Sequence, residues 1–135
     1  MQIAAMYSAI THDIQITATP AYSPERSEPA ENRYFWTYTI DIVNRGAIQV
    51  QLLERYWRIT DGNGRLETVR GPGVVGETPI LQPGESFRYT SGCGLNTASG
   101  LMSGSYRMMD ADGRGFDVEI PVFSLDSPME RRVLN

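Results

Sequence analysis

Arg70-Gly71-Pro72-Gly73-Val74-Val75-Gly76 comes nearer than any other segment to a known ligand-binding spacing. The G-x-G-x-x-G fingerprint of dinucleotide-binding folds works because a strand delivers the tight turn and the N-terminus of the following helix holds the pyrophosphate. Here Glu77-Thr78-Pro79 and a β-type run follow, so the helix is missing and the dinucleotide reading fails. A lesser chemistry survives. Successive backbone N–H groups in a glycine-rich loop can form an anion nest, and Arg70 would add charge. Arg70, Gly71, Gly73 and Gly76 are therefore a candidate binding loop for a phosphate-bearing small molecule. The plain alternative is that the glycines permit a tight or bulged crossover between strands. The second candidate lies on a two-sided strand, where Arg55 shares a face with Trp57 while Tyr56 and Arg58 share the opposite one. Tyrosine and arginine are the residue types that anchor protein interfaces, so an exposed Tyr56 and Arg58 would suit a protein partner. The plain alternative is a solvated sheet face.

The remaining reactive groups are few. Cys93 stands between two glycines, and a nearby arginine would make it a reactive thiol by lowering its pKa. Otherwise it is an inert, half-buried cysteine. His12-Asp13 has no serine or cysteine to activate and lies near the N-terminus, where fraying is expected. Asp61-Gly62-Asn63 and Asp110-Ala111-Asp112-Gly113 resemble the opening of a calcium loop. The twelfth position, where a bidentate glutamate belongs, is Pro72 in one case and Pro121 in the other, so hairpin-turn chemistry explains both.

Composition closes off most common constellations. One cysteine excludes an intramolecular disulfide and a cysteine-based zinc knuckle. One histidine excludes a two-histidine zinc site. All twelve basic residues are arginine, which removes Schiff-base chemistry and a phosphate-binding lysine. No cofactor is expected. The net charge of −4 and scattered arginines argue against nucleic acid, which needs a basic face. No apolar run approaches the ~20 residues of a membrane span. The first ten residues lack the marks of a secretory signal. Together with a lone thiol, this places the chain in the cytoplasm by expectation.

The elements that must position these groups read as strands. Ile14–Thr19 alternates apolar and polar residues. Pro20–Asn32 reads as an exposed, proline-bearing loop. Tyr34–Val43 is the cleanest strand, with Trp36, Tyr38, Ile40 and Ile42 on one face. Ile48–Thr60 is long enough to bulge midway and carries Trp57, which with Trp36 belongs to the core. Asp61-Gly62-Asn63-Gly64 is a hairpin turn. Arg65–Arg70, a short run at Thr78-Pro79-Ile80-Leu81 and a strand from Ser86 to Thr90 follow, the last after the turn Gln82-Pro83-Gly84-Glu85. Ser91–Gly100, small and polar, reads as a loop. Leu101–Met109 and a run with Phe116, Val118, Ile120 and Val122 on one face complete the set. From Ser124 no pairing pattern is visible.

Seven to eight strands with turn punctuation at roughly 8–12-residue spacing predict an all-β fold, a two-sheet antiparallel sandwich. The Cys…Trp…Cys pattern of immunoglobulin domains is missing, so a fibronectin type III-like sandwich fits best, with a small barrel as runner-up. The 135 residues are one domain, ordered over about 7–125, with a flexible C-terminal tail at 126–135. An unpaired sheet edge would allow strand pairing into a homodimer.

Several runs carry a family resemblance. Val50 to Asp61, VQLLERYWRITD, resembles the VQLL-x-R-x-W-x-I-T-D run of the ApaG (CorD) family. Val69 to Leu81, VRGPGVVGETPIL, is similar to its V-x-G-x-G-V-V-G-x-x-P-x-L run. Pro83-Gly84-Glu85 with Phe87 and Tyr89-Thr90-Ser91-Gly92-Cys93 matches PGE-x-F-x-YTSGC, and Gly104-Ser105-Tyr106 and Phe116 to Pro121 match as well. The resemblance implies a fibronectin type III or Ig-like sandwich. It also implies a link to cobalt tolerance and magnesium efflux, and to the neighbourhood of diadenosine tetraphosphate turnover genes. Eukaryotic relatives carry the domain appended to an F-box protein and to a polymerase-interacting protein, where it looks like an interaction module. A nucleotide or pyrophosphate role has been suggested for the glycine run. Gly94 departs from the proline that often follows the cysteine. The resemblance brings no catalytic residues with it. The expected function is therefore a non-enzymatic module that binds an unidentified protein partner. The alternative is a sensor that takes a phosphate-bearing metabolite at loop 71–76.

Overall fold

The computed structural model describes residues 5–128. It contains nine strands: β1 (Tyr7–Thr11), β2 (Ile14–Tyr22), β3 (Tyr34–Asn44), β4 (Val50–Asp61), β5 (Leu66–Pro72), β6 (Ile80–Leu81), β7 (Ser86–Leu95), β8 (Ser99–Asp110) and β9 (Gly115–Asp126). One antiparallel sheet has the order β1-β2-β3-β7. The other has the order β5-β4-β8-β9, with β6 pairing β4 at its start. The expected sandwich is therefore present; the expected runs account for eight of the strands, and β1 adds the ninth.

Alternation explains the core. Ile14, Ile16 and Ala18 of β2 and Trp36, Tyr38, Ile40 and Ile42 of β3 are buried on the inner face of the first sheet. Leu52 and Trp57 of β4, Tyr106 and Met108 of β8, and Val118 and Ile120 of β9 face them from the second. Side chains two apart share a face of a pleated strand, so burial follows sequence parity. The Phe123 ring sits among Tyr7, Tyr38 and Trp57, with centroid separations of 6.2, 6.0 and 6.0 Å. The Trp36 indole N–H donates to the Asp126 carbonyl at 2.8 Å and ties β3 to the end of β9.

Two bulges change the parity. In β4 the pairing with β8 shifts between Leu52 and Glu54, the midway irregularity expected for so long a strand. In β9 the partner of Gly104 is Ile120 but that of Met102 is Phe123. Pro121 and Val122 thus face Ser103 together, and proline, with no N–H to give the ladder, suits that place. The alternation read from sequence put Val122 on the inner face. The bulge turns it outward, 60% exposed, and brings Phe123 and Leu125 inward.

Other boundaries also differ. Tyr7–Thr11 is not frayed: this strand, β1, pairs with β2 through a two-residue turn at His12 and Asp13, with φ of 50° and 64°. β2 runs to Tyr22, and the proline-bearing segment then forms two 3-10 turns, Pro24–Arg26 and Pro29–Glu31. Ser91–Gly100 is not a loop, because β7 continues to Leu95 and β8 begins at Ser99. Gly92 belongs to that strand for a packing reason. A Cβ there would meet the Phe35 ring at 2.4 Å, so the missing side chain makes room for an aromatic from β3. Ser124–Asp126, read as the start of a tail, pair with Ser99–Leu101. Residues 129–135 of the expected flexible tail lie outside the described residues. Among the described residues no helix is long and apolar enough to cross a membrane.

Candidate functional site

β4 positions both candidate sites, because its two faces look in opposite directions. Tyr56 pairs with Arg70 of β5 on one side and with Ser105 of β8 on the other. Its side chain lies on the outer face of the five-stranded sheet. The Arg70 guanidinium carbon stands 4.2 Å from the Tyr56 ring centroid, and that of Arg58 stands 5.7 Å from it. Arg58 also donates through Nε to the Ser103 hydroxyl at 3.3 Å. A cation over an aromatic face is attracted by the ring quadrupole, so the tyrosine holds two arginines on one patch. Neither makes an ion pair with a carboxylate among the described residues. Beside them is a shallow hollow of about 590 Å³, bordered by Glu54, Tyr56, Arg70, Ser105, Arg107 and Asp117. Arg107 and Asp117 form an ion pair of 3.3 Å at its far side.

The candidate loop residues are not gathered at one point. Arg70 belongs to the outer patch, across the Tyr56 ring. Gly71 lies in β5 opposite Arg55, and a Cβ on Gly71 would meet the Arg55 guanidinium at 2.8 Å. Gly73 is buried at φ 58°, and its N–H is already bonded to the Leu53 carbonyl at 2.8 Å. The following turn closes on itself, with the N–H groups of Val74 and Glu77 donating to each other's carbonyls at 2.8 and 2.9 Å. Gly76 (φ 80°) lies on a different cavity, between the sheets. The glycines thus serve close approach and turn geometry here, and Gly73 has no N–H left for an anion nest.

Sequence reasoning missed Arg55. It shares a face with Trp57, and there it reaches into the space between the sheets. Its Nη1 donates to the carbonyls of Pro72 and Gly73 at 2.8 and 3.0 Å, and so clamps the glycine-rich turn from within. The signal was available: an arginine on the same face as a core tryptophan must find acceptors or a ligand.

Cys93 is buried, and burial, with some help from Glu67, pushes its thiol up to about 11. The reactive thiol considered from sequence is corrected, since no arginine lowers it. The Tyr89 and Tyr106 hydroxyls meet across the sheets at 2.5 Å. Burial raises both above the usual tyrosine range. The His12 ring packs edge-on against Phe116, 5.3 Å between centroids, in the β1–β2 turn. Asp61 and Asp110 use their carboxylates to accept N–H groups of their own turns, at 2.9 Å for Asn63 and Arg65 and at 2.9 and 3.0 Å for Asp112 and Arg114. Among the described residues no three His, Cys, Asp or Glu side chains gather as a metal-binding group.

Nine antiparallel strands in two facing sheets, with a polar patch on one outer face, define a small β-sandwich domain. The particular family follows from comparison with known proteins. The ApaG domain model matches residues 24–110. The chain is 63% identical to Protein ApaG of Methylocella silvestris over 130 residues, 96% of this chain and 100% of that one. It is 55% identical, with the same coverage, to Protein ApaG of Brucella canis. A crystal structure described as an ApaA protein from Bordetella pertussis superposes with a TM-score of 0.84 at 46% identity, covering 86% of this chain and 94% of that one. The chain belongs to the ApaG domain family.

Proposed function

We propose that this domain is a non-enzymatic docking module whose contact face is the outer surface of the five-stranded sheet around Tyr56. The observation that carries the reading is the Arg70–Tyr56–Arg58 stack. It presents an aromatic ring beside two cations that make no ion pair among the described residues, which is the anchor chemistry of protein interfaces. Acidic side chains of a partner would complete it. A link to cobalt tolerance and magnesium efflux, implied by the family resemblance, would then run through a partner protein in the cytoplasm. The alternative, capture of a phosphate-bearing metabolite by residues 71–76, has less support, because the Gly73 N–H is spent on Leu53.

Site-specific photo-crosslinking tests the docking reading. A photoreactive residue replaces Ser103, which borders the stack, and in a second protein replaces Thr39, on the opposite sheet. The expected result is a discrete adduct from position 103 that position 39 does not give and that Tyr56→Ala or Arg70→Glu removes. Equal adducts from both faces, or an adduct insensitive to both substitutions, would overturn it.

A further inference from the structure

On the other side of β4 the two sheets part along the β5 and β7 edges and leave a cleft of about 460 Å³, within the size range of small-molecule sites. Its lining is mixed: the half-buried Ile59 and Val69 offer apolar surface, with Trp57, Val74 and Met102 nearly covered behind them, and polar groups converge from Arg55, Tyr38, Tyr89 and Ser91. Arg55 supplies its one positive charge, and Glu67 supplies one negative charge at the margin. Arg55 makes no ion pair among the described residues. Nη1 is committed to Pro72 and Gly73, while Nε and Nη2 find no acceptor there. The Nε–Nη2 edge of a guanidinium is the fork that takes a carboxylate through two parallel hydrogen bonds.

We propose that this cleft binds a small organic monocarboxylate with an apolar body, its carboxylate on Arg55 and its body against Ile59 and Val69. A single arginine with a glutamate close by favours one negative charge. A phosphate dianion would need a second cation, and the cleft has none. This site lies on the inner side of the sheet; Arg55 borders both it and the outer hollow, but the ligand contacts proposed here do not involve Tyr56, Arg58 or Arg70, so either reading can fail without the other.

The test is an amide-resolved NMR titration of the full chain with 3-phenylpropionate, with its uncharged amide 3-phenylpropionamide, and with inorganic phosphate. Saturable shifts at Gly76, Ser91, Gly92 and Cys93 are expected with the acid. Binding of the amide should be at least about tenfold weaker, as loss of a charge-assisted pair implies. Arg55→Gln should lose the preference for acid over amide. Because Arg55 also clamps the turn, Ser91→Phe provides a second variant that leaves the clamp intact and fills the cleft mouth, and it should abolish the shifts. Equal affinity for acid and amide, stronger binding of phosphate, or no shift at about 10 mM acid would overturn the proposal.

Discussion

Replacing Tyr89 with Phe should cost more than replacing Tyr106 with Phe, although the two hydroxyls share one hydrogen bond. That bond joins β7 of one sheet to β8 of the other at 2.5 Å. Each substitution forfeits its net worth, about 0.5–1.5 kcal/mol, and leaves the other hydroxyl without its partner, a further ~1–3 kcal/mol if no water reaches it. The orphans differ. Tyr106 is fully buried, whereas Tyr89 borders the intersheet cleft. Tyr106→Phe therefore leaves a hydroxyl that water can solvate, at a cost of about 1 kcal/mol. Tyr89→Phe leaves one sealed in the core, at about 2–3 kcal/mol. The double variant has no orphan and should fall near Tyr106→Phe, so the two costs should not add. Urea unfolding of the four proteins reads this directly. With a slope of about 2 kcal/mol per molar, the single variants should differ in midpoint by roughly 0.5–1 M. A midpoint for Tyr106→Phe at or below that of Tyr89→Phe, or additive costs, would refute the reasoning.

Cys93 should react about 100-fold more slowly with iodoacetamide at pH 8 than an unperturbed thiol, because moving its pKa from 9.0 to about 11 leaves a hundredth of the thiolate. The same shift sets a pH dependence. Above pH 9 the unfolded chain loses the thiol proton while the folded chain keeps it, so stability falls by up to about 1.4 kcal/mol per pH unit until the folded thiol ionises near 11. The raised tyrosines add to the loss above pH 10. Cys93→Ala should flatten the segment between pH 9 and 10 in chemical denaturation, and an unchanged slope would contradict the assignment. Gly73→Ala should destabilise by more than about 3 kcal/mol, since positive φ is joined by a Cβ only 2.2 Å from the Glu77 carbonyl oxygen. Gly76→Ala meets nothing within 4 Å and should cost only about 1–2 kcal/mol, the price of φ alone. Thermal melts of the pair would expose an error if the two fell equally.

Much of the sandwich was legible because burial follows strand parity. Trp36 to Ile42 alternates without a break, and its inward residues Trp36, Tyr38, Ile40 and Ile42 are buried. Parity failed where an extra residue enters. Nothing in Ile120-Pro121-Val122-Phe123 announces which residue is skipped except the proline. Composition failed at Ser91–Leu95, where small residues suggested a loop; a ring on the neighbouring strand, invisible locally, is what demands Gly92. The candidate sites fared unevenly for the same reason. Tyr56 and Arg58 share a face by simple alternation. That Arg70 stands over the same ring depends on the β4–β5 register, which the hairpin turn sets and no local pattern reveals. Arg55 shares the Trp57 face by the same alternation. Its acceptors are two carbonyls 17 and 18 positions away in a different strand and turn.

The Trp36–Asp126 bond spans 90 positions of sequence, and the Phe123 ring fills the middle of the sandwich from the last strand. Such long closures make assembly slow, in the millisecond-to-second regime of sandwiches. Until β9 arrives, β8 offers an open edge and Tyr38 and Trp57 face a gap. That half-built chain is the species prone to self-association. Substitutions in β9 should therefore appear first as temperature-dependent loss of soluble yield during synthesis, before any change in the matured molecule.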